Sequence, residues 1–210
     1  MLSKFLSRFG KSAHPDQGGA SRKPITVVSG LPRSGTSMMM QILQAGGMTI
    51  LTDQERSADE DNPKGYFELE RVKKLKEGDA AWVDQAQGKV VKVISALLEH
   101  LPAQYEYKVI FMQRKMEEVL ASQKQMLIRR GEATDKANDE TLALLFQQHL
   151  AQVQNWLAGQ PNIRVLYIPY DALLQDPQTH IRAVADFLGL PLDIPAMLAV
   201  PDKNLHRQRS

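Results

Sequence analysis

The sequence predicts a three-layer α/β/α fold built on a mainly parallel central sheet, and three observations carry that expectation. Short apolar or β-branched runs recur at Ile25–Ser29, Val90–Ile94, Tyr107–Met112 and Ile163–Ile168. Stretches with apolar residues at helical spacing follow, most clearly over 116–130 and 136–158. Strand and helix therefore alternate, as they do where parallel strands are covered by crossover helices.

Each element has a local reason. The run Ile25-Thr26-Val27-Val28-Ser29 is rich in β-branched residues, as a buried strand is. Met38, Met39, Ile42 and Leu43 then form an apolar helical stripe that stops at Gly46-Gly47. Met48–Leu51 reads as a second short strand, and residues 53–70 as a long polar loop. In 136–158, Leu142, Leu145, Phe146, His149, Leu150, Val153, Trp156 and Leu157 line one side. Asp176-Pro177 starts a helix, with Asp as its cap and Pro at the first helical position, and Gly189 ends it.

The chain has 210 residues, enough for one domain with a single core, expected over 25–210 behind a flexible tail at 1–24. A net charge of +2 leaves no broad basic footprint, so nucleic acid is not an expected partner. The absence of cysteine excludes a disulfide framework, a thiol nucleophile and a cysteine-based zinc site. No segment approaches the roughly 18 apolar residues that span a bilayer. The expected location is cytoplasmic, with weak membrane contact offered only by Leu2, Phe5, Leu6 and Phe9 on one face of the N-terminal segment.

The chemistry concentrates at Gly30-Leu31-Pro32-Arg33-Ser34-Gly35-Thr36-Ser37. A strand that enters a glycine turn and then a helix presents unpaired first-turn amides to an anion. The spacing of Gly30 and Gly35 matches the common phosphate-binding loop, G-x-x-x-x-G-K-[ST], except that Thr36 stands where the lysine belongs. The cation comes earlier, at Arg33. Such a loop suits one compact anion without an obligatory metal, and makes a metal-dependent kinase or NTPase the second reading.

Pro32-Arg33-Ser34-Gly35-Thr36-Ser37 closely resembles the donor loop of the sulfotransferases that use 3′-phosphoadenosine 5′-phosphosulfate (PAPS), nearest the arginine-bearing branch that includes tyrosylprotein and carbohydrate enzymes. The resemblance runs over residues 25–190. It implies a phosphate-loop-type fold and a PAPS donor. Arg33 would then neutralise the bridging oxygen and sulfuryl group, while Ser34, Gly35, Thr36 and Ser37 hold the 5′-phosphate. The family's second donor motif, a strand ending in Arg with Ser eight residues on, is matched by Arg114 and Ser122 as 3′-phosphate ligands. Its usual proline is Met116 here. Tyr170, in a segment like the family's Y-E-D-L…D-P, would lie beside the adenine. The late basic loop has only Arg207 and Arg209 to offer.

The same resemblance places Lys92 at the lysine of a K-x-H strand motif, where it would reach the transferring group. The histidine of that motif is Ile94 here. His14, His100, His149, His180 and His206 lie in no matching motif and are expected on the surface or in packing. A carboxylate base is implied instead, with Asp53 and Glu55 as comparable candidates and Asp61 and Glu68 as outsiders. Tyr66 and Phe67 are read either as an acceptor lid or as loop anchors. The expected partner is a small-molecule, carbohydrate or peptide acceptor, bound by an active transferase or by a noncatalytic relative that keeps only the donor site.

Overall fold

The computed structural model describes residues 22–53, 67–129, 131–132 and 138–201. Four strands, β1 (Ile25–Gly30), β2 (Val90–Lys92), β3 (Tyr107–Gln113) and β4 (Ile163–Pro169), form one sheet in the order β2-β1-β3-β4. All three pairings are parallel. The expected α/β class with a parallel sheet is therefore borne out. The helices are α1 (Thr36–Ala45), α2 (Met116–Arg129), α3 (Asp139–Ala158), α4 (Tyr170–Gln175), α5 (Pro177–Leu188) and α6 (Ile194–Leu198).

Alternation along the strands divides the core in two. Val27, Val91, Val109 and Phe111 face a layer made by α3 and three 3-10 segments, Glu70–Glu77, Val83–Ala86 and Ser95–His100. Val28, Val90, Ile110 and Met112 face α1, α4, α5 and α6. Strands buried on both faces need continuous apolar runs, which is why β1 and β3 are legible in the sequence.

Two expected strands are shorter than the pattern suggested. Met48–Leu51 contributes only an isolated bridge, Ile50 to Val90, on the free edge of β2. Beyond Lys92, the Val93 amide still bonds the Val28 carbonyl at 3.0 Å, but Ile94 already caps the following 3-10 segment. The expected helices at 116–130 and 136–158 appear as α2 and α3, although Leu157 is the one described residue of α3 that is fully buried. The Asp176 side chain accepts from the Thr179 amide at 3.1 Å, and Gly189 closes α5 in the left-handed region, as their sequence positions indicate.

The strand order reverses at β1. From β1 the chain crosses to β2 on one side, then returns over β1 to β3 on the other. Loops leaving the carboxyl ends of β1 and β3 diverge, and open α/β sheets bind ligands in the crevice this leaves.

Candidate active site

Beside that crevice lie the loop after β1, Arg114, Ser122, Tyr170 and Lys92. The loop after β1 runs from Gly30 (φ 146) through Arg33 (φ 70) to Gly35 (φ 97), the residue before α1. A Cβ on Gly30 would stand 2.5 Å from Ser34 Oγ and 2.6 Å from the Met112 carbonyl oxygen, so only glycine lets β1 end this close to β3. Arg33 adopts a left-handed conformation uncommon for a residue with a side chain, and its guanidinium is thereby turned toward α2.

The helix that follows has no side-chain cap and no acidic residue in its first turn. Its leading amides lack intrahelical partners and carry the positive end of the helix dipole. Ser34 Oγ is buried and has no hydrogen-bond partner among the described residues. A buried hydroxyl left in that state costs free energy, about 1–3 kcal/mol, unless something else bonds to it. An uncapped helix start beside an unsatisfied hydroxyl is a fitted cradle for a phosphate-like anion.

Three cationic side chains surround the loop, each held in place by the protein. Arg33 Nε donates to Ser122 Oγ at 2.8 Å. Arg114, one residue past β3, donates through Nε to Glu118 Oε2 at 2.9 Å and through a terminal nitrogen to the Arg33 carbonyl at 3.1 Å. Its guanidinium also sits 4.5 Å from the centre of the Tyr170 ring. Tyr170 packs in turn on the loop, since a Cβ on Gly35 would meet its ring at 2.4 Å. Lys92 Nζ donates to Ser37 Oγ at 3.1 Å and lies 3.6 Å from Glu68 Oε1.

Lys92 is the last residue of an edge strand, yet its side chain is only 9% exposed because it turns onto the start of α1. Burial shifts the Tyr170 phenol above its ordinary value, against the pull of Arg114; Glu118 and Asp171 add to the rise. Tyr170 therefore stays protonated at neutral pH, with its ring beneath the Arg114 guanidinium.

A sequence profile described as the sulfotransferase domain matches residues 23–207. The chain belongs to the sulfotransferase family. Sulfuryl transfer is that family's chemistry, and the cations gathered at the loop suit it. No curated protein matches the chain.

Solved structures agree on the fold. The sulfotransferase domain from the curacin biosynthetic pathway is 18% identical at a TM-score of 0.50, over 87% of this chain and 79% of that one. The sulfotransferase domain of the Synechococcus PCC 7002 olefin synthase is 18% identical at a TM-score of 0.52, over 97% and 88%. Mouse sulfotransferase SULT7A1, solved with PAP, is 17% identical at a TM-score of 0.51, over 87% of this chain and 63% of that one.

Not every candidate residue arrives at the crevice. The Asp53 carboxylate accepts from the Glu70 amide at 2.5 Å, a position that fixes the start of the 70–77 segment. Glu68, an outsider by sequence, is the described carboxylate paired with Lys92. Glu55, Asp61, Tyr66, Arg207 and Arg209 lie outside the described residues, as does the segment 1–21. Glu118 was missed by sequence reasoning. Its spacing of four from Arg114 at a helix start was the available signal, because such pairs meet on one face. No group of metal-ligating side chains occurs among the described residues, and no described helix is long and apolar enough to cross a membrane.

Proposed function

We propose that this chain transfers a sulfuryl group from PAPS to a hydroxyl or amine acceptor, and that it belongs with the arginine-loop branch. The observation that carries the reading is the Arg33–Ser122–Arg114 constellation around an uncapped helix start. The 5′-phosphate lies on the amides of Gly35, Thr36 and Ser37 with the Ser34 hydroxyl. The 3′-phosphate is held by Arg114 and Ser122, and the adenine lies near Tyr170. The mouse relative solved with PAP, the donor's product, supports this choice of ligand.

In the reaction an acceptor oxygen or nitrogen lone pair forms the new bond to sulfur. The bond from sulfur to the bridging oxygen of the donor breaks, leaving adenosine 3′,5′-bisphosphate. Charge grows on that bridging oxygen, where Arg33 and Lys92 stabilise it by fixed positive charge rather than by covalent chemistry. The acceptor proton passes to a carboxylate of the segment that carries Asp53, Glu55 and Glu68. We favour Glu68, because it stands beside Lys92 and Asp53 already accepts a backbone amide.

The test is calorimetric titration with adenosine 3′,5′-bisphosphate in EDTA, with ATP and AMP as comparisons. Preference for the bisphosphate, lost in Arg33→Ala and Arg114→Ala, supports the reading. Binding of ATP only with magnesium would sink it in favour of a kinase. With an acceptor in hand, Glu68→Gln should lower kcat by about a hundredfold or more, the range of a lost general base. Loss in Glu55→Gln alone would move the role there. No turnover in the unmodified chain despite donor binding would leave a noncatalytic binding protein.

A further inference from the structure

Two short segments lie outside β2, and each sends side chains to both faces of the sheet. Thr49–Leu51 is bonded to β2 itself. The Val90 amide donates to the Thr49 carbonyl at 3.0 Å, and the Leu51 amide to the Val90 carbonyl at 2.8 Å. Ile50 packs against the core layer that holds α1, and Leu51 against the opposite layer. Phe67 and Leu69 repeat this arrangement, Phe67 on the α1 side and Leu69 on the other. Glu68 stands between these two apolar anchors.

The main chain around Glu68 is fixed by side chains that continue the first segment. Thr52 Oγ1 donates to the Glu68 carbonyl at 2.6 Å, and Asp53 Oδ2 accepts from the Glu70 amide at 2.5 Å. Phe67 holds a φ of 53°, a left-handed conformation uncommon for a bulky side chain. Such a conformation costs free energy and persists where its surroundings over-determine it. Here the packed ring and the Thr52 bond to the next residue supply that constraint. The contacts close a ring. Val90 bonds Leu51, Thr52 bonds Glu68, and the Glu68 carboxylate lies 3.6 Å from Lys92 Nζ, two residues along β2 from Val90. Lys92 is tied in turn to Ser37 at the start of α1.

We infer that Thr52 and Phe67 are positioning residues for sulfuryl transfer, holding the Glu68 carboxylate against Lys92. The inference rests on the proposed role of Glu68 as the base. Thr52 fixes the Glu68 backbone from the edge of β2, and Phe67 sets the direction in which the chain enters Glu68. Asp53 completes the clamp through the Glu70 amide. A reacting group displaced by ~1 Å can cost about a hundredfold in rate, so a hydrogen bond one step removed from the chemistry is enough to matter.

The test uses the full chain with radiolabelled PAPS and water as the acceptor. A water oxygen bonds to sulfur, the bond from sulfur to the bridging oxygen breaks, and the water's proton passes to Glu68. Glu68→Gln should slow sulfate release about a hundredfold. Thr52→Val keeps the shape and loses the donor, and should lower kcat about tenfold with KM for PAPS within about twofold. Thr52→Ser keeps the hydroxyl and should recover at least about half of the rate. In a Glu68→Gln background, Thr52→Val should cost less than about twofold more, because it acts through the missing carboxylate. Phe67→Gly should slow the reaction as Thr52→Val does, although it relieves the backbone. Crystal structures answer independently of turnover. Glu68 Oε1 should stay near 3.6 Å from Lys92 Nζ in the unmodified chain and in Thr52→Ser, and move beyond ~4 Å in Thr52→Val. A Thr52→Val chain with full kcat, with an unmoved carboxylate, or with the same loss in both backgrounds overturns the inference. Unaltered hydrolysis in Glu68→Gln overturns instead the reading of Glu68 as base, and the inference falls through that reading rather than through the clamp.

Discussion

Arg33 and Ser122 meet across 89 residues of sequence, the arginine Nε donating to the serine oxygen at 2.8 Å. One belongs to the loop after β1 and the other to the second turn of α2, after β3. Their contact closes the crevice that the reversal of strand order opens. It also means that a ligand entering there competes with, or extends, a hydrogen bond already made.

Ser122→Ala removes that contact and one donor to a 3′-phosphate. Calorimetry should show adenosine 3′,5′-bisphosphate binding weakened about tenfold, corresponding to ~1.4 kcal/mol. Ser122→Thr keeps the hydroxyl and should recover most of the affinity. Equal loss in both variants would point to packing rather than hydrogen bonding.

Glu118 is a buried carboxylate, 3% exposed, paired with an Arg114 side chain that is 8% exposed. Deleting one partner of such a pair leaves an uncompensated buried charge and typically costs about 3–5 kcal/mol. Glu118→Ala should lower the urea midpoint accordingly. Added adenosine 3′,5′-bisphosphate should restore stability more in Glu118→Ala than in the unmodified chain, because the ligand's phosphate replaces the missing anion. A neutral effect of Glu118→Ala on urea stability would contradict the pairing.

Gly35→Ala meets two obstacles, a positive φ of 97° and the Tyr170 ring at 2.4 Å. The left-handed conformation alone costs about 1–2 kcal/mol, and the overlap adds a further penalty of about 1–3 kcal/mol. In a Tyr170→Ala background the overlap disappears and only the conformational part remains. Chemical denaturation of the four-member cycle should therefore show a coupling between the two positions.

Tyr170 also sets a pH dependence. Burial raises its phenol pKa above the unfolded value of about 10, so the folded state keeps its proton longer. The resulting stability is complete below about pH 10 and drains as pH rises through the folded value. Urea midpoints measured at intervals from about pH 8 to 11 should fall more steeply for the unmodified chain than for Tyr170→Phe, which has no proton to lose. Parallel curves would refute this.

The sequence alone determined the parallel α/β class, because strands buried on both faces need apolar runs such as Ile25–Ser29 and Tyr107–Met112. It also located the phosphate loop, since a strand, glycines at 30 and 35, and a helix form an anion site through local backbone geometry. Arg114 and Ser122 were singled out by resemblance to the family's second donor motif, and both lie on one strand–helix unit, just past β3 and on α2. What tertiary structure decided was every relationship between units: Arg33 on Ser122, Tyr170 against Gly35, Lys92 turned in toward Ser37 and Glu68, and His149 reaching Ser95. The sequence ranked Asp53 ahead of Glu68 as a candidate base, yet in the folded chain Glu68 meets Lys92 while Asp53 accepts the Glu70 amide. Composition and periodicity encode which face a residue takes, but which side chains share a crevice depends on strand order, and strand order is settled by packing across the whole sheet.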